Sequence, residues 1–125
     1  LFVKSNPNPD NLLLLVSDHV NGKFERVEGF DDSMGAQTKG MYEAPTAVKL
    51  ADGRWCLFAD FYGAGCAGQG YVPFVSDDLT KGVFTRADEA FHFPYGFKHG
   101  TILPITEEEY ERMLARDWTD VPDLR

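Results

Sequence analysis

Short apolar stretches alternate with turn residues along the whole chain. Seven of these stretches have the length and the β-branched or aromatic content of strands, namely 12–17, 24–27, 46–50, 54–61, 71–76, 83–86 and 101–105. Asp52-Gly53 separates two of them and is a strong hairpin signal, because both central positions of a type I′ turn need positive φ. The pattern predicts an all-β chain in which 46–50 and 54–61 are antiparallel neighbours.

One segment near the C-terminal end carries a clear helix signal. Thr106 can cap a helix, and Glu109 stands three residues later, as a capping box requires. We expect a short helix over 107–116 whose narrow apolar stripe docks against a sheet. The stripe consists of Tyr110, Met113 and Leu114.

A strand–turn–strand unit occurs twice in the sequence. Val-Ser-Asp at 16–18 recurs at 75–77, and Phe-x-Arg at 24–26 recurs at 84–86, which are displacements of 59 and 60 residues. Repeated units of four short antiparallel strands are typical of β-propeller blades. Segments 46–50, 54–61, 71–76 and 83–86 would form one complete blade, with 101–105 as the innermost strand of the next. A divergent β-sandwich is the alternative.

The length of 125 residues supplies only about two blades, whereas propellers close with four to eight. Hydrophobic residues make up 43% of the chain, which is enough to form a folded core. We therefore expect residues 1–125 to be a single domain and a fragment of a larger propeller. Because residue 1 is leucine, we expect the true start of the protein to lie upstream. Assembly with further copies of the chain would be another way to cover exposed blade faces.

Charge and cysteine content narrow the classes of partner. A net charge of −8 repels phosphate backbones and anionic lipid surfaces, so we expect neither nucleic acid nor membrane as a partner. Cys56 and Cys66 have no metal-binding spacing and are predicted to be free thiols, with a disulfide as the alternative. They leave the compartment undetermined.

Four residues stand out as candidates for a site. Glu43 and His99 each come just before an innermost strand, at the predicted mouth of the central channel. An apolar lining would disfavour the charged form of Glu43, as a general acid requires, although a solvated loop glutamate is the alternative. Phe61 and Tyr62 end a strand, where their rings would either stack on a sugar or pack in the core.

Three motifs in order resemble glycoside hydrolase family 43. Residues 42–49 and 52–60 resemble its Glu-Gly-Pro-Thr and Gly-Lys-Trp-Tyr-Leu segments, and 70–79 resembles the strand and Ser-Asp-Asp-Leu turn that follow. Residues 98–110 resemble its His-Gly-Thr-Val-Leu-Pro-Leu-Thr segment and trailing helix. The sequence departs from the pattern at Ala44, where glycine is usual, and in the small-residue stretch 63–70.

The resemblance implies the later part of a five-bladed propeller catalytic domain. Such a domain hydrolyses arabinose- or xylose-containing glycans with inversion, as in arabinofuranosidases and xylosidases. Glu43 corresponds to the general acid, whereas the catalytic base lies in earlier blades that have no counterpart here. Inversion needs two carboxyl groups about 6.5–9.5 Å apart, so this chain is expected to be inactive by itself unless the base comes from elsewhere.

The resemblance also implies a ligand environment for His99. It corresponds to a central histidine of the family that lies beside a water or a calcium ion in the channel. Calcium prefers oxygen ligands, so His99 would meet a structural calcium through water, and no cofactor is required for the reaction. The partner would be an oligosaccharide or polysaccharide in a bacterium, with a secreted, periplasmic or cytoplasmic location left open.

Two other functions fit the same residues. A non-catalytic carbohydrate-binding or self-assembling blade module would use Glu43 only as a hydrogen-bonding carboxyl group. An enzyme built across a homo-oligomer would take its base, for example Asp60, from a neighbouring copy.

Overall fold

The computed structural model of the chain describes residues 1–5, 12–37, 41–62, 70–91, 93 and 96–116. Its strands are β1 (Phe2–Lys4), β2 (Leu12–Val16), β3 (Glu25–Arg26), β4 (Tyr42–Lys49), β5 (Trp55–Phe61), β6 (Gly70–Ser76) and β7 (Thr85–Arg86). Its helices are α1 (Glu28–Gln37) and α2 (Glu107–Ala115), with a 3₁₀ turn at Asp88–Ala90. None of the helices among the described residues is long and apolar enough to cross a membrane.

Two antiparallel sheets form the frame, one of three strands in the order β1-β2-β3 and one of four strands in the order β4-β5-β6-β7. The four-stranded sheet is the complete blade that the sequence predicts. The three-stranded sheet contains the first copy of the repeat, and its β1 lies beside β4. The predicted all-β, partial propeller architecture is confirmed.

The internal repeat is reproduced down to individual hydrogen bonds. Val16 pairs with Glu25 in the first sheet, as Val75 pairs with Thr85 in the second. In the turn after β2, the Ser17 hydroxyl donates to the His19 carbonyl at 2.9 Å. In the turn after β6, the Ser76 hydroxyl donates to the Asp78 carbonyl at 3.2 Å. Each hydroxyl also accepts the backbone N–H of the same partner, so both copies use one turn design.

The β4–β5 connection is a hairpin, as Asp52-Gly53 predicts, but the turn type differs. Gly53 has φ +90°, whereas Asp52 has no positive φ. The Gly53 N–H donates to the Leu50 carbonyl at 3.0 Å, and the Leu50 N–H donates to the Arg54 carbonyl at 2.8 Å. This is a three-residue loop ending in a left-handed glycine, so the predicted type I′ turn is wrong.

A β-bulge interrupts the pairing of β4 with β5. Glu43 lies opposite Asp60, and the next regular pair joins Thr46 to Phe58. Two residues of β4, Ala44 and Pro45, therefore face a single residue of β5. Proline has no N–H to donate to the ladder, so a bulge is a position where it is tolerated.

The main core lies between the two sheets and α1. Its aromatic centre contains Phe30 and Phe84, whose ring centroids are 5.4 Å apart in an edge-to-face arrangement. The other face of β5 and β6 carries a second cluster of Cys56, Phe58 and Tyr71. The buried residues of the main core are Leu12, Leu14, Phe30, Met34, Tyr42, Leu57, Ala59, Val72, Phe74 and Phe84.

Helix α1 has no counterpart in the sequence-based prediction. It contains two glycines, which weaken helix propensity, and its apolar face is limited to Phe30 and Met34. Packing compensates for this weakness, because both side chains are buried in the main core. The Ser33 hydroxyl adds two hydrogen bonds to the backbone of Phe84, at 2.7 and 2.8 Å. Tertiary contacts therefore stabilise a helix that the local sequence does not specify.

Two predictions for the C-terminal third are wrong. Segment 101–105 has no strand partner among the described residues, so the expected innermost strand of a next blade is not formed. Helix α2 begins with the predicted capping box, but the residues of its apolar stripe are 48–67% exposed, and the stripe does not dock on a described sheet. Within the described ranges, neither segment has a neighbouring element that buries it.

Cys56 is a buried free thiol, as predicted. Cys66 and the stretch 63–69 lie outside the described residues.

Candidate functional site

Three segments of the chain meet at the bulged end of the β4–β5 hairpin. Glu43 extends from β4 and lies opposite Asp60 of β5 in the ladder, so both side chains emerge on the same face. The segment that carries His99 crosses this face. The imidazole Nδ1 lies 3.2 Å from Asp60 Oδ2, and Nε2 lies 3.9 Å from Glu43 Oε1. The structure therefore brings the two predicted site residues, Glu43 and His99, together around one imidazole ring.

Asp60 is fully buried and makes its described contacts with His99. Its Oδ2 accepts the backbone N–H of His99 at 2.9 Å, and Oδ1 has no hydrogen-bond partner among the described residues. A buried carboxyl group is costly unless it is hydrogen-bonded, so these contacts are important for tolerating Asp60 at this position. Its burial also argues against Asp60 as a base for a neighbouring copy, because a base must reach the attacking water.

Glu43 forms an ion pair with Lys4 of β1. The Lys4 ammonium donates to Glu43 Oε2 at 2.9 Å, and the two side chains are 30% and 26% exposed. This hydrogen bond is the largest cause that lowers the pKa of Glu43 below its ordinary value, against a smaller opposing effect of burial. The sequence-based expectation of a raised pKa is therefore wrong for Glu43 in this structure. That expectation did not include the ammonium group of Lys4.

Tyr62 and Phe61 lie on different sides of this site. The Lys4 ammonium is 4.6 Å from the centroid of the Tyr62 ring, which places Tyr62 beside the Glu43 ion pair. The Phe61 ring instead packs against Tyr42, with centroids 5.3 Å apart, at the margin of the main core. Because strand residues alternate between faces, Phe61 points away from the face that carries Asp60. Stacking of a sugar on either ring stays a prediction.

Left-handed backbone occurs at His99 and at Ala44, the residue that follows Glu43. Ala44, next to Glu43, has φ +45°, and His99 has φ +52°. They are the only non-glycine residues with positive φ in the described part of the chain. Both stand two residues before a threonine, Thr46 or Thr101, so the structure extends the sequence correspondence between 43–46 and 98–101. Such a backbone is costly for residues with a Cβ atom and is concentrated at functional sites in proteins.

An aromatic layer supports the segment that carries His99. Phe91 and Phe93 pack edge-to-face on Phe58, with centroids 5.1 and 5.2 Å apart. The Tyr71 hydroxyl donates to the Gly100 carbonyl at 2.5 Å, directly after His99. The segment that carries His99 therefore packs on the second cluster, and its backbone is hydrogen-bonded to the side chains of Asp60 and Tyr71.

The described residues do not fit a directly bound calcium ion. Glu43 already pairs with an ammonium group, and the Asp60 oxygen nearest the site is engaged by His99. Within the described ranges, no three His, Cys, Asp or Glu residues are grouped so as to hold a metal. We assign no step to calcium, and its contact with His99 through water stays a prediction.

Sequence reasoning missed Lys4 and the intramolecular role of Asp60. Lys4 belongs to a three-residue strand that is too short for a periodic signal, and it reaches Glu43 across 39 residues of chain. Asp60 did carry a signal, because a carboxylate stands on the face of β5 that otherwise carries Cys56 and Phe58. A polar residue in a buried run is the kind of anomaly that marks a site.

Comparison with known families identifies the class of the protein. A family model described as a probable glycosyl hydrolase domain matches residues 1–111. The chain belongs to this family, the glycosyl hydrolase 43-related domains, which confirms the predicted resemblance. No curated protein and no solved structure matches the chain.

Proposed function

We propose that the chain contributes the general acid, Glu43, to a glycosidase that acts on arabinose- or xylose-containing glycans with inversion. The observation that carries this proposal is the meeting of Glu43, His99 and Asp60 at the start of β4, in a chain that belongs to a glycosyl hydrolase family. Glu43 is partly exposed, so a glycosidic oxygen can approach its carboxyl group. The proposed partner is therefore an oligosaccharide or polysaccharide.

The proposed reaction breaks the bond between the anomeric carbon and the leaving oxygen. Water attacks the anomeric carbon from the opposite side, a base removes a proton from that water, and Glu43 gives its proton to the departing oxygen. Because Asp60 is buried, the base in this proposal comes from another part of the protein or from a second copy. No base is assigned among the described residues.

The Lys4 ion pair has a direct consequence for this chemistry. A general acid must be protonated before it reacts, and the lowered pKa of Glu43 opposes protonation. Activity is therefore expected to be highest on the acid side of neutrality. A substrate that separates Lys4 from Glu43 would remove the cause of the shift and make protonation easier.

The same ion pair favours a second candidate function. A Glu43 carboxylate that stays ionised is a good acceptor for sugar hydroxyl groups, and Tyr62 lies close by. A non-catalytic carbohydrate-binding module would use the residues in this way. It would also assemble through its exposed apolar surfaces, which include the α2 stripe.

The test measures sugar release from arabinan- and xylan-derived oligosaccharides by the 125-residue chain. Natural oligosaccharides are needed, because activated aryl leaving groups depart without help from an acid. NMR would follow the anomeric configuration of the product. The comparison uses Glu43→Gln, with Glu25→Gln as a matched control, because Glu25 is a largely exposed glutamate away from the site.

Where the chain forms an oligomer in which a second copy supplies the base, we expect inverted product from the wild type and from Glu25→Gln, and a rate at least about 100-fold lower for Glu43→Gln. A monomeric chain should release no sugar, because no base is assigned among its described residues. An undiminished rate in Glu43→Gln would refute the role of Glu43. Oligosaccharide binding without release by an oligomeric chain would favour the binding module. Sedimentation of the chain then separates a discrete homo-oligomer from a chain that needs further blades.

A further inference from the structure

Asp60 is the feature of this site that general acid chemistry does not explain. It is fully buried on the face of β5 that also carries Cys56 and Phe58. A single oxygen, Oδ2, lies within hydrogen-bond distance of both the backbone nitrogen and the ring Nδ1 of His99, at 2.9 and 3.2 Å. Both described side-chain contacts of Asp60 are with His99, so we expect Asp60 to affect the conformation and protonation of that residue.

The distance between Nδ1 and Oδ2 indicates which nitrogen of the imidazole carries the proton. A neutral imidazole has one N–H donor and one acceptor nitrogen. An oxygen at 3.2 Å from Nδ1 favours a proton on Nδ1, which leaves a lone pair on Nε2. Nε2 then faces Glu43 Oε1 at 3.9 Å, which is too long for a direct hydrogen bond. Two acceptors therefore face each other across a gap that suits a hydrogen-bond donor.

We propose that Asp60 is a positioning residue that holds His99 in the Nδ1–H tautomer, so that Nε2 accepts a hydrogen bond from a substrate hydroxyl group. The sugar identity of that substrate rests on the proposed function, whereas the tautomer rests on the geometry alone. The bond from the His99 backbone to Asp60 also holds the left-handed backbone at φ +52°. The donation from Tyr71 to the Gly100 carbonyl fixes the next residue.

The first experiment measures the ring nitrogen chemical shifts of His99 in the ¹⁵N-labelled 125-residue chain. The signals are assigned by their loss in His99→Gln and recorded at a pH where the titration curves show all imidazoles neutral. We expect a protonated Nδ1 in His99. The exposed His19, which serves as the internal control, is expected to show the Nε2–H form that water favours. A protonated Nε2 in wild-type His99 would overturn the proposal without any variant.

Two substitutions separate positioning from general support of the fold. Asp60→Asn can keep an oxygen at the place of Oδ2, so we expect the Nδ1–H tautomer to persist. Asp60→Ala removes the acceptor, so we expect His99 to change to the Nε2–H form. Retention of Nδ1–H in a folded Asp60→Ala chain would contradict the proposal. If that variant does not fold, the wild-type and Asp60→Asn spectra still decide the tautomer.

The second experiment adds arabinan- or xylan-derived oligosaccharides to the labelled chain. We expect the Nε2 signal to move on binding, and the loss of one hydrogen bond in Asp60→Ala to weaken binding about tenfold. An unmoved Nε2 signal in a sugar-bound chain would overturn the acceptor role of His99. An Nδ1–H tautomer in an oligomeric chain that binds no sugar would instead refute the proposed function and leave the positioning role of Asp60 in place.

Discussion

The ion pair between Lys4 and Glu43 gives the sharpest prediction for stability. Lys4→Met removes the ammonium group that lies 2.9 Å from Glu43 Oε2 and keeps a side chain of similar length. Because both side chains are between a quarter and a third exposed, water screens the pair, and we expect it to contribute about 0.5–1 kcal/mol to the free energy of unfolding. The contact of Lys4 with the Tyr62 ring adds about 0.5–1 kcal/mol, part of which methionine retains.

The pH dependence of this contribution follows from the direction of each pKa shift. The pKa of Glu43 is lowered by the Lys4 hydrogen bond, so its contribution is complete above its ordinary value of 4.5 and is lost as the pH falls through the lowered value. The pKa of Lys4 is raised, mainly by the same bond, so its contribution is complete below 10.5 and is lost as the pH rises through the raised value. The pair should therefore stabilise the chain fully between about pH 5.5 and pH 9.5.

Urea unfolding of the wild type, Lys4→Met, Glu43→Gln and the double variant would measure this coupling as a double-mutant cycle. We expect a positive coupling energy at about pH 7 that decreases with added salt and is small at about pH 2. A coupling energy that is unchanged at low pH would show that the interaction is not an ion pair. A coupling of zero at about pH 7 and low salt would refute the geometry.

Two further predictions concern backbone strain and the buried thiol. Ala44→Gly should raise the free energy of unfolding by about 0.5 kcal/mol, because relief of left-handed strain exceeds the added chain entropy. Gly53→Ala should lower the free energy of unfolding, because φ +90° is strained for a residue with a Cβ atom even where the space is open. Urea titration measures both changes, and a destabilised Ala44→Gly chain would contradict the reasoning. Burial raises the pKa of the Cys56 thiol to about 11, so in a Cys66→Ser background a thiol reagent at about pH 8 should label Cys56 only after unfolding. Mass spectrometry checks this, and labelling of the folded chain at the unfolded rate would be the contrary result.

Local sequence patterns were sufficient for the larger sheet and the repeat. Alternation of apolar residues and turn residues predicts β4 to β7, since strand period and turn chemistry are properties of neighbouring residues. The same holds for α2, where Thr106 and Glu109 cap each other within one turn. Glu43 and His99 were each predicted because they stand near the start of an expected innermost strand. In the structure β4 already begins at Tyr42 and 101–105 has no described strand partner, but the two side chains still meet.

The remaining parts depend on contacts that the local sequence does not contain. Helix α1 contains glycines and is stabilised by burial of Phe30 and Met34 between the sheets. Lys4 meets Glu43 only because β1 lies beside β4, so neither the ion pair nor the lowered pKa could be predicted. Segment 101–105 has the composition of a strand but needs a hydrogen-bonding partner to become one.

The bulge in β4 has a consequence for engineering and for natural variation by insertion or deletion. In a regular strand, Glu43 and Thr46 would project to opposite sides, because an odd number of positions separates them. The extra residue at Ala44-Pro45 changes the phase of the strand, so that both project with Asp60 and Phe58. A regular strand of the same length would turn the carboxyl group of Glu43 into the main core, whereas deletion of one bulge residue would leave Glu43 and Thr46 two positions apart on one face. Transfer of this hairpin at its full length to another scaffold would therefore require the bulge to be preserved together with Glu43.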